Sequence, residues 1–194
     1  MIKQIEAYEP YNEQEERDKE IILSMLTEAE RMGEDIFSRE NRMAHMTASA
    51  WVVNRDRTKV LLAYHNIYNS WAWLGGHTDG ERNLLSVAVR EVCEESGLTP
   101  AHVRPAWLIS QKGDLSQGSA GDIFSLEVLA VDGHFKKGEY ISSHLHLNVT
   151  YLLESDEEET LYKKEDENSS VKWFLPEEAL AASSEPWFAE HIYR

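Results

Sequence analysis

The sequence is poor in several features that define particular classes of protein. It contains one cysteine, Cys93, which excludes a disulfide framework and favours a reducing compartment. No segment approaches the ~18 consecutive apolar residues that a membrane-spanning helix needs. The first twenty residues also lack the apolar core of a secretory signal. We therefore expect a cytoplasmic protein that has no membrane partner.

Basic residues are scarce as well. The chain has 19 lysines and arginines against 35 aspartates and glutamates, and its formal net charge is −16. Binding to nucleic acids and anionic membranes depends on basic side chains that neutralise phosphates, so a long nucleic acid is excluded as a partner. A small phosphate compound is compatible with this charge, because one local cation can offset the field at a binding site.

The length and composition favour one hydrophobic core with a modest appendage. The chain has 194 residues, of which 42% are hydrophobic, and this is enough for a single domain. The pattern changes near residue 43. We predict an N-terminal helical extension over residues 1–42 and the main domain over residues 43–194.

One amphipathic helix is predicted within the extension, over residues 12–33. Asn12 precedes Glu15 by three residues, as in a capping box, and Gly33 is suited to the C-terminal end. Apolar residues at helical spacing form its predicted buried stripe: Ile22, Met25, Leu26 and Ala29. We expect this helix to pack on the main domain without a catalytic role.

The main domain contains more strand signals than helix signals. Its predicted strands are 47–54, 59–65, 70–74, 104–110, 121–133, 144–154 and 170–175. Helices are predicted over residues 81–96 and from Pro176 onwards. Because most strands follow one another without a helical crossover, we expect an α+β fold with a mixed sheet and helices on its faces. The acidic stretch 155–170 is predicted to be a solvated loop.

Three carboxylates crowd one turn of the helix predicted over residues 81–96. With 100° per residue, Glu94 and Glu95 lie about 60° and about 40° to either side of Glu91. Like charges at this spacing repel by roughly 0.2–0.5 kcal/mol per pair. A solvated acidic face is the ordinary explanation, but a bound divalent cation would also offset the repulsion.

The neighbours of these carboxylates favour the second explanation. Gly75 and Gly76 end a strand and permit close approach of the backbone, Asp79 or Gly80 is expected to cap the helix, and Gly97 is suited to close it. The stripe predicted to dock the helix on the sheet consists of Leu85, Ala88, Val89 and Val92. A strand, a glycine loop and a carboxylate-bearing helix suit a hard cation such as Mg²⁺, which prefers oxygen ligands.

At these residues the sequence resembles the Nudix hydrolase family. Gly76 occupies the first glycine of the family box, and "REVCEESGL", residues 90–98, matches its second half without a gap. The order of the surrounding strands extends the resemblance over about residues 43–180. The box departs from the family at Arg82, where the first glutamate is expected, although Glu81 is adjacent. Leu74 stands where many members have proline.

The resemblance implies a Nudix-type α/β/α sandwich that hydrolyses a nucleoside diphosphate linked to another group, or a related pyrophosphate compound. It implies Mg²⁺ or Mn²⁺ as the cofactor and admits a homodimer. Glu91, Glu94 and Glu95 would bind the metal with the backbone carbonyl of Gly75. Arg90 would orient these carboxylates. The general base would be a glutamate, either Glu91 or one in a later loop such as Glu167, which is also a candidate for binding the substrate.

Other polar residues are candidates for binding the substrate. Strand geometry places His144, His146, Asn148 and Thr150 on one face of residues 144–154, and His45, Thr47 and Ser49 alternate in the same way. These faces either border a substrate cleft or simply contact water. His77, directly after the glycines, is either a phosphate-binding residue or a structural one. Trp71 and Trp73 either line a pocket or belong to the core.

Two other functions are weighed against hydrolysis. Isoprenoid diphosphate isomerases are similar in fold and use a cysteine and a glutamate across the site, but Cys93 lies within the glutamate helix itself. A non-catalytic Nudix-like module that binds or senses a nucleotide often loses box carboxylates and gains a DNA-binding domain. This chain keeps the three carboxylates and has no basic recognition segment, so hydrolysis is favoured.

Overall fold

The computed structural model describes residues 1–67, 69–106, 121–136, 138–164 and 168–193. Its helices are α1 Ile2–Ala7, α2 Glu13–Met32, α3 Leu84–Ser96, α4 Pro176–Ala182 and α5 Pro186–His191. Its strands are β1 Ala44–Asn54, β2 Val60–His65, β3 Ser70–Ala72, β4 Leu74–His77, β5 Arg104–Pro105, β6 Ile123–Val131, β7 His134–Lys136, β8 Glu139–Ile141, β9 His144–Ser155 and β10 Asn168–Phe174. Of the helices in these ranges, none combines the length and the apolarity that crossing a membrane requires.

Eight strands form one sheet, and the order of its main path is β10-β2-β1-β9-β5. The strands β3, β4 and β6 pair with β2, β1 and β9 respectively, and β7 pairs with β8 as a separate hairpin. The predicted α+β fold with a mixed sheet is confirmed. The chain divides into two compact units, each of which is assembled from three segments.

The first unit comprises Met1–Ser49, Gly76–Val87 and Asp122–Tyr151. The predicted helix at residues 12–33 is confirmed as α2, because the Asn12 side chain accepts a hydrogen bond from the Glu15 N–H at 2.9 Å. Gly33 ends the helix in the left-handed region, with φ 72°. Three members of the predicted stripe are buried and Met25 is half-buried; the buried ones are Ile22, Leu26 and Ala29.

The N-terminal helices of this unit are tied to strand β6. The Asp18 carboxylate accepts the Val128 N–H at 3.2 Å. The Tyr8 hydroxyl donates to the Glu15 carboxylate at 2.7 Å and lies 3.1 Å from the Phe124 carbonyl oxygen. On its other edge β6 runs antiparallel to β9, so β6 lies between the helical extension and that strand.

The second unit comprises Ala50–Gly75, Ala88–Gly121 and Leu152–Arg194. Strand β2 runs antiparallel to both β1 and β10 within it, and the side chains of Leu61, Leu62 and Ala63 are fully buried. Four aromatic rings of this unit contact one another, and we call them the aromatic cluster: Trp51 of β1, Trp73 directly before β4, Phe188 of α5 and Tyr193 near the C-terminal end. The cluster attaches the C-terminal residues to the strands of this unit.

Several elements differ from the sequence prediction. The segment 70–74 is broken at Trp73, and its two parts, β3 and β4, pair with different strands. The predicted loop 155–170 is wrong at its end, because β10 begins at Asn168, which is buried. Helices α1 and α5 and the β7–β8 hairpin were not predicted. The part of the predicted strand 104–110 that follows Ala106 lies outside the described residues.

Candidate active site

Helix α3 begins three residues later than predicted, and Asn83 caps it. The Asn83 side-chain oxygen accepts the Ser86 N–H at 3.2 Å, while its backbone carbonyl accepts the Val87 N–H at 3.1 Å. The expected caps, Asp79 and Gly80, are therefore wrong. Asp79 has a positive φ of 49° and instead forms an ion pair with Arg39 at 2.6 Å.

The residues at the departure from the family box have local partners. Arg82 forms an ion pair with Asp35 at 3.3 Å, and its guanidinium lies over the Phe37 ring at 4.5 Å from the centroid. The Glu81 carboxylate accepts the N–H of Asn83, the capping residue, at 2.8 Å. In this chain the two side chains therefore hold the loop that leads into α3.

Two of the three helix carboxylates lie on the buried face of α3. Leu85 and Val89, which were predicted to dock the helix, are only half-buried. The buried face instead follows a regular helical spacing through Leu84, Val87, Ala88, Glu91, Val92 and Glu95. Glu91 is 8% exposed and Glu95 is 2% exposed, whereas Glu94 faces solvent.

Glu95 is held by hydrogen bonds from the strands of its own unit. The Gly75 N–H donates to Glu95 Oε2 at 2.9 Å, and the Asn168 side-chain amide donates to Oε1 at 3.3 Å. The His65 ring nitrogen Nδ1 lies 3.8 Å from the same Oε1. These contacts satisfy a carboxylate that burial would otherwise penalise, and they fix its position beside Gly75, which lies within strand β4 and not in the predicted glycine loop.

Basic side chains hold the other two carboxylates. Arg90 donates from Nη2 to Glu91 Oε1 at 2.7 Å, and its Nε lies 3.8 Å from the Glu94 carboxylate. Lys164 pairs with Glu94 at 3.2 Å. Burial raises the pKa of Glu91, while the hydrogen bond and the charge of Arg90 lower it. The local arrangement is therefore a set of carboxylates that are partly neutralised by two cations.

The donor chemistry of this set fits a hard divalent cation. Glu91, Glu94 and Glu95 offer only oxygen ligands, as Mg²⁺ and Mn²⁺ prefer, and Glu91 is a buried acid that an added cation would stabilise. Within the described residues the three side chains do not have oxygens that all lie within 4.8 Å of one another. Direct binding by all three would require them to move closer together.

The predicted roles of Gly75 and Glu167 stay predictions. Gly75 contributes its N–H to Glu95, and the role predicted for its carbonyl oxygen stays a prediction. Glu167, which was predicted to bind the substrate or act as the base, lies outside the described residues.

The first unit brings four histidines together, which we call the histidine cluster: His45, His77, His144 and His146. The His45 ring centroid is 5.0 Å from each of the other three, and the His77 and His146 centroids are 5.1 Å apart. Burial lowers the pKa of His77 to about 3 and strongly lowers the pKa of His146. Both were predicted to bind the substrate, and the structure places them in contact with each other. Their binding of the substrate stays a prediction.

Asn148, the third predicted substrate residue, lies in a buried polar network of the first unit. Its side-chain oxygen accepts hydrogen bonds from the Thr47 and Ser49 hydroxyls at 2.9 and 3.0 Å. Its amide donates to Glu127 at 2.8 Å. Asn148 is 1% exposed and Thr150 is fully buried, so this part of the face does not lie in water, whereas His144 and His146 are half-buried.

Glu127 is the member of this network that the sequence analysis missed. Its carboxyl group also accepts hydrogen bonds from the Thr150 hydroxyl at 3.0 Å and from Ser125. Burial raises the pKa of Glu127 to about 7, although these hydrogen bonds lower it. One feature of the sequence could have identified Glu127. It is the single acidic residue of the mostly apolar segment 123–131.

Trp71 and Trp73 pack among other aromatic rings of the second unit. Trp73 is buried within the aromatic cluster. Trp71 is half-buried and makes an edge contact with Phe174, with the centroids 4.8 Å apart.

Cys93 is half-buried on α3, and burial raises the pKa of its thiol. A raised pKa disfavours the thiolate, so Cys93 is not an activated thiol of the kind that an isomerase would use.

Comparison with known proteins gives a match to one family. Residues 43–194 match the NUDIX domain. No curated protein matches the sequence. Similar solved structures include a C. elegans Ap4A hydrolase binary complex with 16% sequence identity and a TM-score of 0.49. The matched region covers 75% of this chain and 90% of the hydrolase chain.

Two further solved structures are similar at the same level. The E. coli dihydroneopterin triphosphate pyrophosphohydrolase is 12% identical, covers 75% of this chain and 90% of its own, and has a TM-score of 0.48. A NUDIX-family hydrolase from Clostridium perfringens has 22% sequence identity and a TM-score of 0.44, and the matched region covers 69% of this chain and 83% of the hydrolase chain. The domain match extends over more than half of the chain and includes the whole box, Gly76 to Leu98. The chain therefore belongs to the Nudix family.

Proposed function

We propose that this protein hydrolyses a pyrophosphate bond in a nucleoside-diphosphate-linked or related small phosphate compound, with Mg²⁺ or Mn²⁺ as the cofactor. The observation that carries the proposal is the carboxylate set of α3. Glu91 and Glu95 are buried acids beside Arg90 and the Gly75 N–H, within a sequence that matches the Nudix box. Burial of a carboxylate costs free energy, and buried acids whose pKa is perturbed are concentrated at functional sites.

Each residue of the set has a proposed role. Glu91, Glu94 and Glu95 would hold the cation, which when bound polarises phosphoryl oxygens and lowers the pKa of a water ligand. Arg90 holds the Glu91 carboxylate in place through its 2.7 Å hydrogen bond. The Gly75 N–H does the same for Glu95.

The general base is proposed to be Glu91 or Glu167. Burial raises the pKa of Glu91, and a higher pKa makes a carboxylate a stronger base. Replacement of the base by glutamine should remove the rise of kcat with pH on the acidic side, whereas replacement of the other glutamate should leave that limb in place. The measurement is kcat against pH at saturating metal for Glu91→Gln and Glu167→Gln.

A nucleotide-binding module without turnover is the second candidate. The ion pairs of Arg90 with Glu91 and of Lys164 with Glu94 favour it, because they already neutralise two of the carboxylates. This candidate predicts binding of a nucleotide without release of phosphate products.

The single cysteine supports the further proposal of a cytoplasmic location.

The deciding experiment is a substrate panel assayed with Mg²⁺ and with Mn²⁺. It should contain nucleotide sugars, ADP-ribose, dinucleoside polyphosphates, NADH, coenzyme A and damaged nucleoside triphosphates. Analysis of the products identifies both the bond that is cleaved and the leaving group. Glu94→Gln serves as the inactive control, because Glu94 is exposed and its replacement should not disturb the fold.

Hydrolysis of at least one member, lost in Glu94→Gln and on removal of the metal, is the expected result. If no member is hydrolysed while one binds with a measurable Kd, the binding module is favoured. Turnover that persists in Glu94→Gln and in Glu95→Gln would contradict the assignment of these carboxylates.

A further inference from the structure

The histidine cluster has a geometry that the proposed hydrolysis does not explain. Three of its members, His45, His144 and His146, each offer a ring nitrogen, and these atoms all lie within 4.8 Å of one another. The Nε2 atoms of His144 and His146 are only 3.3 Å apart. All three residues belong to the first unit, on strands β1 and β9.

Hydrogen bonds to the backbone set the tautomers of two of these rings. The His45 Nδ1 lies 3.0 Å from the Asn41 carbonyl oxygen, and the His144 Nδ1 lies 2.9 Å from the Ser142 carbonyl oxygen. A carbonyl oxygen only accepts hydrogen bonds, so each Nδ1 carries the hydrogen. In the neutral rings, the Nε2 atoms of His45 and His144 then present lone pairs.

The His45 lone pair has nothing to bond with in the part of the chain that the structure describes. His45 is 3% exposed, and its Nε2 atom is buried without a hydrogen-bond partner among those residues. Mutual hydrogen bonds within the cluster explain the contact between His144 and His146, but they leave this atom unsatisfied. A buried acceptor without a partner costs free energy, and a ligand that accepts a lone pair would remove that cost.

We propose that His45, His144 and His146 form a binding site for a first-row divalent transition-metal cation such as Zn²⁺, separate from the carboxylates of α3 in its ligand chemistry. Imidazole nitrogen is a good ligand for Zn²⁺ and a poor one for Mg²⁺. Two nitrogens bound at about 2.0–2.1 Å to one tetrahedral zinc ion are roughly 3.3 Å apart, which matches the His144–His146 distance.

Two of the three imidazoles are oriented in the way that metal ligands usually are. A histidine ligand almost always donates its other ring N–H to a carbonyl or carboxylate, which orients the ring. The Asn41 and Ser142 carbonyls do this for His45 and His144. His77 borders the site, with its centroid 5.0 Å from His45. Three imidazole ligands leave a fourth tetrahedral position for water or another oxygen ligand.

The test is zinc binding to the full chain after removal of metals with a chelator. Zn²⁺ is titrated in the presence of excess Mg²⁺, which occupies oxygen sites, and a chromophoric chelator that competes for Zn²⁺ reports the affinity. We expect one tight equivalent in the wild type. His144→Ala and His146→Ala should each weaken it by at least ~100-fold, since the loss of an outer-shell partner alone costs 10–100-fold.

Two control variants separate this site from others. His191→Ala makes the same change at an exposed histidine of α5 and should bind Zn²⁺ as the wild type does. Glu94→Gln alters the carboxylate set and should also keep the tight zinc equivalent. Tight binding that is lost in Glu94→Gln but kept in His146→Ala would overturn the proposal and place zinc on the carboxylates.

A measurement on the wild type covers the case in which the histidine variants fail to fold. The imidazole ¹⁵N resonances are recorded with and without one equivalent of Zn²⁺. The Nε2 signals of His45, His144 and His146 should shift, while those of His102 and His191 should stay in place. No tight binding, or shifts confined to other histidines, would overturn the site. Because neither readout depends on turnover, failure of the proposed hydrolysis would leave this test intact.

Discussion

At the scale of single residues, the three carboxylates of α3 are held in different ways. Glu95 is buried and accepts hydrogen bonds from Gly75 and Asn168, whereas Glu94 is exposed and contacts only long basic side chains in the contacts described above. Substitutions that look equivalent in the sequence should therefore separate activity from stability.

Glu94→Gln is predicted to remove activity with little change in stability. Exposed ion pairs contribute about 0–1 kcal/mol, so the free energy of unfolding should change by less than about 1 kcal/mol. Divalent-dependent turnover should fall by about 100-fold or more if a charged ligand is lost. Denaturant unfolding and steady-state assays on one preparation check both quantities. Wild-type turnover would contradict the role of Glu94.

Glu95→Gln is predicted to lose activity and stability together. A glutamine amide group in place of one oxygen faces donors at Gly75 or Asn168, and a buried donor without a partner costs about 1–3 kcal/mol. Denaturant unfolding should show a decrease of about 1–3 kcal/mol in the free energy of unfolding of Glu95→Gln. This decrease should exceed the change measured for Glu94→Gln. Equal stability of the two variants would indicate that Glu95 has no specific structural role.

At the scale of elements, the sequence predicted those parts whose signals are local. Helix α2 was predicted from its Asn12 cap, its apolar stripe and Gly33, all of which lie within one continuous segment. The break at Trp73 was not predictable, because it depends on which strands pair with β3 and β4. The same holds for β9, where Asn148 is buried because Thr47, Ser49 and Glu127 supply hydrogen-bond partners from distant segments.

The candidate site shows the same division. The carboxylates Glu91, Glu94 and Glu95 could be placed on one helix from their spacing alone. The histidine cluster could not be predicted, because alternation places His144 and His146 on one face of a strand but gives no information about the position of His45. Only the three-dimensional arrangement brings these side chains within reach of one another.

The cap of α3 provides a prediction at this scale. Asn83→Ala removes the side-chain acceptor of the Ser86 N–H, and the loss of such a cap costs typically about 1 kcal/mol. Asn83→Ser keeps a capping oxygen and should recover most of that stability. The midpoint of urea unfolding for both variants checks this. Equal midpoints for the alanine and serine variants would show that the cap contributes little.

At the scale of the whole molecule, Glu127 links stability to pH. Its pKa is raised in the folded protein, from 4.5 to about 7, so the folded state binds the proton more tightly than the unfolded state does. Its contribution to stability is therefore fully present below pH 4.5 and is lost as the pH rises towards 7. The sign is opposite to that of a carboxylate in an ion pair.

Glu127→Gln is predicted to change this dependence in a defined direction. The glutamine does not ionise, so the stability of the wild type relative to the variant should decline between about pH 4.5 and 7, by up to about 3 kcal/mol, and then level off. Melting temperatures across that range check the trend. Glu190→Gln, the same change at an exposed position, should give curves parallel to the wild type. Parallel curves for Glu127→Gln would contradict the assignment.

The aromatic cluster gives this protein an intrinsic optical reporter. Tyr193 and Phe188 contact Trp73, and Tyr193 also contacts Trp51, with centroid distances between 5.0 and 6.3 Å. The environment of two of the six tryptophans thus depends on whether the last residues of the chain stay attached. Detachment of the C-terminal end would expose Trp73 to water and shift its emission to longer wavelength, even while the rest of the fold is intact.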